Sequence, residues 1–390
     1  MGVCCNEVMI RPAAVALKKD LSRTLRQGHP WVFRDAITSH PGIASGDIVA
    51  VVDKQGREVA FGYWDAKSPI AIRVLDLVPI ADKFALLRRR LQAALNVRRA
   101  RLDLSRTNAF RWVHGEADRL PGIHIDVYAD VISLRHDGEG SRAFYADLPA
   151  LLSSFAAELP VRKVIDRDAR AEHAEEVEVV ENGIRFIVDV GRGQKGGLFL
   201  DQRENRLAVA KQAQGKSLLN LFGYTGGFSV YAACAGATRT DTVDIARPAI
   251  AAAQRNFEHN QLDLAQARFH ACDAFDFLEK AISRHETWDI VVSDPPSFAP
   301  SKDSVAAARR TYLRLHSLVA QVVSPGGLLC AASCSSHLPR AEFLTLVKTG
   351  VHQAGRRFAL ETYTGAGLDH PTLPVFTEGD YLKCALGKVQ

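Results

Sequence analysis

Two short stretches hold residues that could do covalent chemistry on a planar base. Residues 329–337 read L-C-A-A-S-C-S-S-H, an apolar run that ends in small polar residues, with Cys330 and Cys334 four apart. Residues 289–298 read D-I-V-V-S-D-P-P-S-F, a hydrophobic run that carries Asp294 to its carboxyl end. Pro295 and Pro296 then stop strand and helix alike and fix the backbone so that the carboxylate points into a cleft. A carboxylate held this way can grip the edge of a base. A thiolate can add to carbon 6 of a cytosine and make carbon 5, otherwise a poor nucleophile, able to take a methyl group. The thiol must ionise, which the N-terminus of a helix starting near Pro339 would favour. Four residues is an even step, so Cys330 shares a strand face with Cys334 and reads as core packing. The bland alternatives are a structural turn at Asp294 and an inert buried thiol at Cys334. Without Asp294 beside it, the inert reading of Cys334 is preferred.

The two stretches meet only if their strands are neighbours, ~4.8 Å apart. The pattern around them favours this. Apolar β-runs at 217–222, 238–243, 267–272, 289–293, 327–334 and 358–362 alternate with helical patterns near 227–235, 248–260, 274–283, 304–323 and 339–354. Such alternation predicts an α/β, doubly wound parallel sheet, whose ligands bind at the carboxyl ends of the strands. A late strand at 381–386 has no helix after it.

The first of these strands ends in L-F-G-Y-T-G-G-F-S, residues 221–229. Gly223, Gly226 and Gly227 permit a tight turn and a close backbone approach to a ligand. The spacing is not the G-x-G-x-x-G of dinucleotide enzymes. Asp244 follows Gly223 by 21 residues, at the end of the second strand, where it can accept from both ribose hydroxyls. Asp273 closes the third strand and could face an adenine amino group. Either aspartate alone is as readily a helix N-cap. Together, with the glycines before them, they favour an adenosine-containing cofactor.

A chain of 390 residues exceeds one ordinary core. Three blocks are expected: 1–80, a small β-rich barrel or sandwich; 81–190, a small α+β domain entered by a linking helix over 81–104; and 191–390, the doubly wound sheet. With 47% hydrophobic and 24% charged residues the chain reads as soluble and globular. No apolar run approaches the ~20 residues of a membrane helix. Glu7 interrupts the first apolar stretch, which argues against a signal peptide. Seven cysteines, an odd number without C-x-x-C, argue against a disulfide framework or structural zinc and for a reducing cytoplasm. A net charge of +5 permits a polyanionic partner without demanding one.

Taken in order, the motifs resemble the RlmI-type (YccW-like) 23S rRNA 5-methylcytosine methyltransferases, over about 21–385. H-P-W-V-F-R-D-A-I (29–37), G-D-I-V-A-V-V-D (46–53) and S-P-I-A-I-R-V-L (68–75) resemble the family's N-terminal PUA domain. G-E-A-D-R-L-P-G (115–122) resembles its central domain, and D-H-P-T-L-P-V-F (369–376) its late loop. G-Q-K-G-G-L-F-L-D-Q-R-E-N-R (193–206) resembles the segment before a class I, Rossmann-like methyltransferase sheet. The resemblance implies S-adenosylmethionine as cofactor, 23S rRNA as partner and Cys334 as nucleophile beside Asp294. It implies a cofactor site formed by Gln194, Asp201, Arg203, Phe222, Gly223, Thr225, Gly226, Gly227, Asp244, Asp273, Asp294 and Pro295. No metal is implied, and a homodimer is compatible with it. Several other 5-methylcytosine enzymes carry a second cysteine after the proline motif. Here that residue is Ser297, which leaves the acceptor of the carbon 5 proton open.

A cytosine inside folded rRNA must leave its stack to reach such a pocket. Arg23, Arg26, His29, Trp31, Arg34 and the run Arg88, Arg89, Arg90 are candidate RNA contacts through phosphate pairing and stacking. The alternatives are a solvated helix face for the arginines and barrel core for Trp31 and Phe33. Other readings are guanine N7 methylation on the same scaffold, which needs no thiol; a catalytically silent RNA-binding assembly factor; and a small-molecule methyltransferase. The N-terminal barrel speaks against the last, and the set Gly223, Asp244 and Asp294 against the silent binder.

Overall fold

The computed structural model describes residues 12–38, 42–167, 174–299, 301 and 303–390. Residues 1–11, with Glu7, and the side chain of Gln194 lie outside the described residues. The chain divides into two compact units. One comprises Met1–Leu102, Phe110–Arg170 and Pro371–Gly379; the other comprises Asp103–Ala109, Ala171–His370 and Asp380–Gln390.

In the first unit, strands Ala13–Ala16, Trp31–Phe33, Ile48–Val52, Glu58–Trp64 and Ile70–Asp76 form one sheet in the order first, third, fourth, fifth, second. Val15, Val32, Val49, Val51 and Ile72 fill its core. Strand alternation then turns the neighbours of Val32 outward, so Phe33 is 41% exposed rather than core. Trp31 is half-buried, and its indole N–H donates to Glu116 at 2.7 Å. The helix Lys83–Arg101 starts where Asp82 accepts from the Ala85 N–H and packs Leu87, Leu91 and Leu95 inward. Arg90 lies on the same buried stripe, donating to the Leu75 and Arg119 carbonyls at 2.6 Å each. It is a buried structural cation, which corrects its expected place among the RNA contacts. Arg88 and Arg89 are exposed. A four-stranded sheet follows: Ala109–His114, Ile123–Tyr128, Val131–His136 and Lys163–Asp166. Two short helices, Glu139–Phe144 and Leu148–Ser153, pack beside it, the second with Pro149 in its first turn.

The second unit holds the doubly wound sheet. Its strands in chain order are Ser217–Leu221, Arg239–Asp244, Ala267–Ala271, Trp288–Ser293, Val323–Ser333, Phe358–Thr364 and Lys383–Val389. In space they run third, second, first, fourth, fifth, seventh, sixth. The seventh strand is antiparallel to both neighbours, so the sheet is mixed rather than wholly parallel. No α-helix lies between the sixth and seventh strands to carry the chain back for a parallel pairing. Alternating residues fill both faces. Leu219, Leu221, Val291 and Leu329 pack with Leu315 and Val319 of the helix Val305–Val322. Leu218, Ile290, Val292 and Cys330 pack on the other side with Phe228 and Ala232. The hairpin of Glu176–Glu181 and Ile184–Asp189, expected in the central block, belongs to this second unit. Its Ile187 N–H donates to Asn256 at 2.9 Å, and Asn182 donates to the Tyr231 hydroxyl at 3.0 Å. Among the described residues, no helix is long and apolar enough to cross a membrane.

Candidate active site

The order of the strands makes a switch point between the first and fourth, where successive connections leave in opposite directions. Ligands in open α/β sheets bind at that point, beyond the carboxyl ends of the strands. The register shows what arrives there. Leu221 is opposite both Val243 and Ser293, so Phe222, Asp244 and Asp294 leave the sheet at one level. Ser293 is in turn opposite Ala331 of the fifth strand, which ends at Ser333. Cys334 therefore stands just past the rim, two residues further along than Asp294.

A cavity of about 680 Å³ opens at this rim, a size suited to a small ligand. Its wall includes Asp201, Phe222, Gly223, Thr225, Gly227, Asp244, Asp273, Asp294, Pro295 and Cys334. Gly226 and Arg203 are not among the described residues that line it.

The glycine turn is shaped by steric need. A Cβ on Gly223 would stand 2.7 Å from Thr242 Cγ2 and 2.9 Å from Asn220 Nδ2. Phe222 and Tyr224 on either side have φ of +57° and +47°, an uncommon backbone for side chains of that bulk. The Asp244 carboxylate secures the turn: Oδ2 accepts from the Tyr224 N–H and Oδ1 from the Ala246 N–H, both at 2.9 Å. Each oxygen keeps a lone pair for a ligand hydroxyl. Gly226 acts from behind. With φ +81° it precedes the helix Gly227–Cys234, and a Cβ there would meet Ala253 at 2.9 Å. Asp273 does serve as an N-cap, its Oδ1 accepting from Phe275 and Asp276, while still lining the cavity. Ile245 also lines the cavity although 73% exposed, an apolar surface beside the Asp244 carboxylate.

Asp201 and Gln202 end a 3₁₀ turn, Leu200–Gln202, whose successive side chains point about 120° apart. This divides the D-Q-R triplet. Asp201 accepts from the Tyr381 hydroxyl at 2.6 Å. Gln202, not anticipated from the sequence, donates to Asp294 Oδ2 at 2.8 Å. Arg203 turns away and pairs with Asp369 through both of its terminal nitrogens, at 2.7 and 3.1 Å. Both side chains are buried, so the expected cofactor contact at Arg203 is instead an internal ion pair. Burial alone would raise the Asp369 carboxyl, but His370 and Arg203 hold it well below the usual carboxylate range.

Around Cys334 the S-C-S-S turn is held by hydroxyls. Tyr312 pairs with Ser333 at 2.7 Å and with Ser335 at 3.2 Å, and Ser335 lies 3.1 Å from Ser297 Oγ. Burial pushes the Tyr312 phenol up to about 12, so it stays protonated. Cys330 is 1% exposed, its Sγ 3.4 Å from that of Cys384, and takes no part in the cavity. Lys383, also unanticipated, is buried beside this turn.

Carboxylates at two strand ends, a glycine turn too tight for a side chain and an apolar flank fit an adenosine-bearing methyl donor. Fold and site define a class I methyltransferase that uses S-adenosylmethionine. The family model described as S-adenosylmethionine-dependent methyltransferase matches residues 166–351, and that of the PUA-like domain matches residues 15–77. A methyltransferase, SMU.776, solved in complex with SAH superposes with a TM-score of 0.81 at 23% identity, over 97% of this chain and 100% of that one. Ribosomal RNA large subunit methyltransferase I of Alteromonas mediterranea is 33% identical over 388 residues, 95% of this chain and 97% of the relative. That of Escherichia coli is 32% identical with the same coverage. The chain belongs to the ribosomal RNA large subunit methyltransferase I family.

Proposed function

We propose that the protein methylates carbon 5 of a cytosine in 23S rRNA, with Cys334 as nucleophile and Asp294 holding the base. The carrying observation is that a half-buried thiol and a carboxylate share the wall of the methyl-donor cavity. The substrate class follows from the family, whose named members are ribosomal RNA large subunit methyltransferases. The PUA-like barrel, with Arg23, Arg26 and Phe33 exposed on it, suits an RNA partner.

Asp244 takes the ribose hydroxyls, and Asp273 the adenine side. Phe222, Gly223, Thr225 and Gly227 bring the backbone close to the donor. Gly226 supports them through the helix behind. Asp201 and Pro295 complete the wall, with Gln194 expected beside them. When bound there, S-adenosylmethionine supplies an electrophilic methyl, which carbon 5 takes up as the thioether departs with the bonding pair.

The remaining steps belong to the chain and the base. The Cys334 thiolate forms a bond to carbon 6, and the carbon 5–carbon 6 π pair shifts toward carbon 5 and the N3 edge. Asp294, aligned by Gln202, holds that edge and the proton that neutralises it. After methylation the carbon 5 proton passes to solvent, its bonding pair re-forms the carbon 5–carbon 6 double bond, the thiolate is expelled with the carbon–sulfur pair, and the N3-edge proton returns to Asp294. The net exchange is one methyl for one proton. Guanine N7 methylation would leave Cys334 without a task, since that nitrogen already has a lone pair.

The test uses labelled methyl donor and unmethylated ribosomal RNA, followed by digestion and mass identification of the methylated nucleoside. 5-Methylcytidine from the native protein and none from Cys334→Ala is the expected result. 7-Methylguanosine, or an unimpaired Cys334→Ala, would overturn the reading.

A further inference from the structure

We propose that Lys383 is a positioning residue for Cys334: its ammonium ties down the turn that carries the thiol and holds the sulfur in its thiolate form. This rests on the assignment of Cys334 as nucleophile.

Lys383 opens the seventh strand and lies opposite Ser333, the residue before Cys334. Its side chain is 1% exposed. Nζ donates to the Ser335 carbonyl at 2.6 Å and to the Tyr381 carbonyl at 2.8 Å. One ammonium thus bridges the residue after the thiol to the chain entering the seventh strand. An ammonium has three donors, and these contacts use two. Both acceptors are neutral. Among the described residues no carboxylate lies within ion-pair distance of Lys383. A buried cation without a paired anion is costly unless a negative charge forms nearby.

The groups facing it are few. Asp380 and the Cys334 sulfur attract its charge, and Arg340 opposes it. Asp294 and the Tyr312 phenol face the same thiol turn. Burial pushes the Lys383 ammonium down to about 8, against the pull of Asp380 and Cys334, so it is charged at neutral pH. Asp294 lines the same cavity as Cys334 and carries a negative charge of its own. Lys383 brings a positive charge to the Cys334 turn through its bond to the Ser335 carbonyl. When Cys334 ionises, its proton passes to solvent and Lys383 keeps its own.

The test reads the thiol directly, without RNA. Native protein, Lys383→Met and Lys383→Arg are treated with iodoacetamide across pH 5–10, and modification of Cys334 is quantified by peptide mass spectrometry. Exposed Cys234 is the internal standard. In Lys383→Met the midpoint for Cys334 should rise by about one pH unit, with alkylation at neutral pH about tenfold slower. Lys383→Arg should recover most of the native profile. Thermal melting with and without S-adenosylmethionine shows that each variant folds and binds donor. If Lys383→Met does not fold, Lys383→Gln is read the same way. A folded charge-deleting variant with an unchanged Cys334 profile overturns the proposal, as does Lys383→Arg behaving like Lys383→Met. Failure of the cytosine reading is separate: Cys334→Ala would still methylate RNA while the alkylation profiles kept their order.

Discussion

Gln202 Nε2 donates to Asp294 Oδ2 at 2.8 Å, from a side chain only 2% exposed. Gln202 is itself held, its Oε1 accepting from Asn205 Nδ2 at 2.6 Å. A buried amide fixed at both ends leaves the carboxylate little freedom, and such alignment matters when a base must be held within reach of a nucleophile. Replacing Gln202 by Leu should lower kcat by about 10–100-fold while the protein stays folded. Single-turnover methyl transfer measures this, and an unchanged rate would show that Asp294 needs no support.

The turn at Gly223 admits no side chain without movement of Thr242 or Asn220. Gly223→Ala should weaken S-adenosylmethionine binding about tenfold or more, equivalent to about 1.4 kcal/mol, by calorimetric titration. Gly226→Ala acts on stability instead. Its positive φ and the approach to Ala253 should cost about 1–2 kcal/mol in denaturant unfolding.

Asp244 both braces the glycine turn and points at the proposed ribose position. Asp244→Ala removes the acceptors for two backbone N–H groups along with any ligand contact. Donor affinity should fall about 100-fold, the sum of two such losses at about 1.4 kcal/mol each. Asp244→Asn keeps one acceptor oxygen and should fall between.

His316 is fully buried against Tyr312 and Phe343, and among the described residues neither ring nitrogen has a hydrogen-bond partner. Burial pushes its imidazole from 6.5 down to about 3. The unfolded chain therefore binds a proton below about 6.5 that the folded chain refuses until about 3, so stability falls as pH drops through that window. His316→Phe should raise stability by about 1 kcal/mol at pH 7. Its advantage should widen as the pH is lowered from 6.5 toward 3, as urea melts at each pH would show. A constant difference would count against the buried neutral imidazole.

Arg203 and Asp369 are both buried and joined by two contacts. Removing one partner strands the other charge, so Arg203→Met or Asp369→Ala should each destabilise by about 3–5 kcal/mol. Because neither lines the cavity, donor affinity per folded molecule should change little. A selective loss of affinity at full stability would return Arg203 to the cofactor site.

The strand-end aspartates and the glycine turn were legible in the sequence because their signals are local. A hydrophobic run of strand length, a glycine cluster and an acid at a fixed offset survive in one dimension, since each element carries its own punctuation. That Phe222, Asp244 and Asp294 reach one level follows from pairing, but the alternation of strands and helices already implied a common rim. Block one was legible as a small β-rich unit for the same reason, although not which of Trp31, Val32 and Phe33 faces inward. A strand of three residues has too short a period to fix its phase.

Tertiary structure alone decided which side chains serve the site from a distance. Gln202 meets Asp294 across 92 residues of chain, and Lys383 meets Ser335 across 48. Arg203 and Asp369 lie 166 apart. In sequence Gln202 and Arg203 are adjacent polar residues and only Arg203 was expected at the cofactor, yet a 3₁₀ turn sends Gln202 to the cavity and Arg203 to an internal ion pair. Arg90 looked like its exposed neighbours until the helix stripe buried it. The residue types and their spacing thus pointed to an adenosine-containing cofactor and an α/β sheet, but not to its antiparallel seventh strand. The partners of each charge were decided by the packing, because burial and pairing are properties of three-dimensional neighbours that a one-dimensional pattern does not carry.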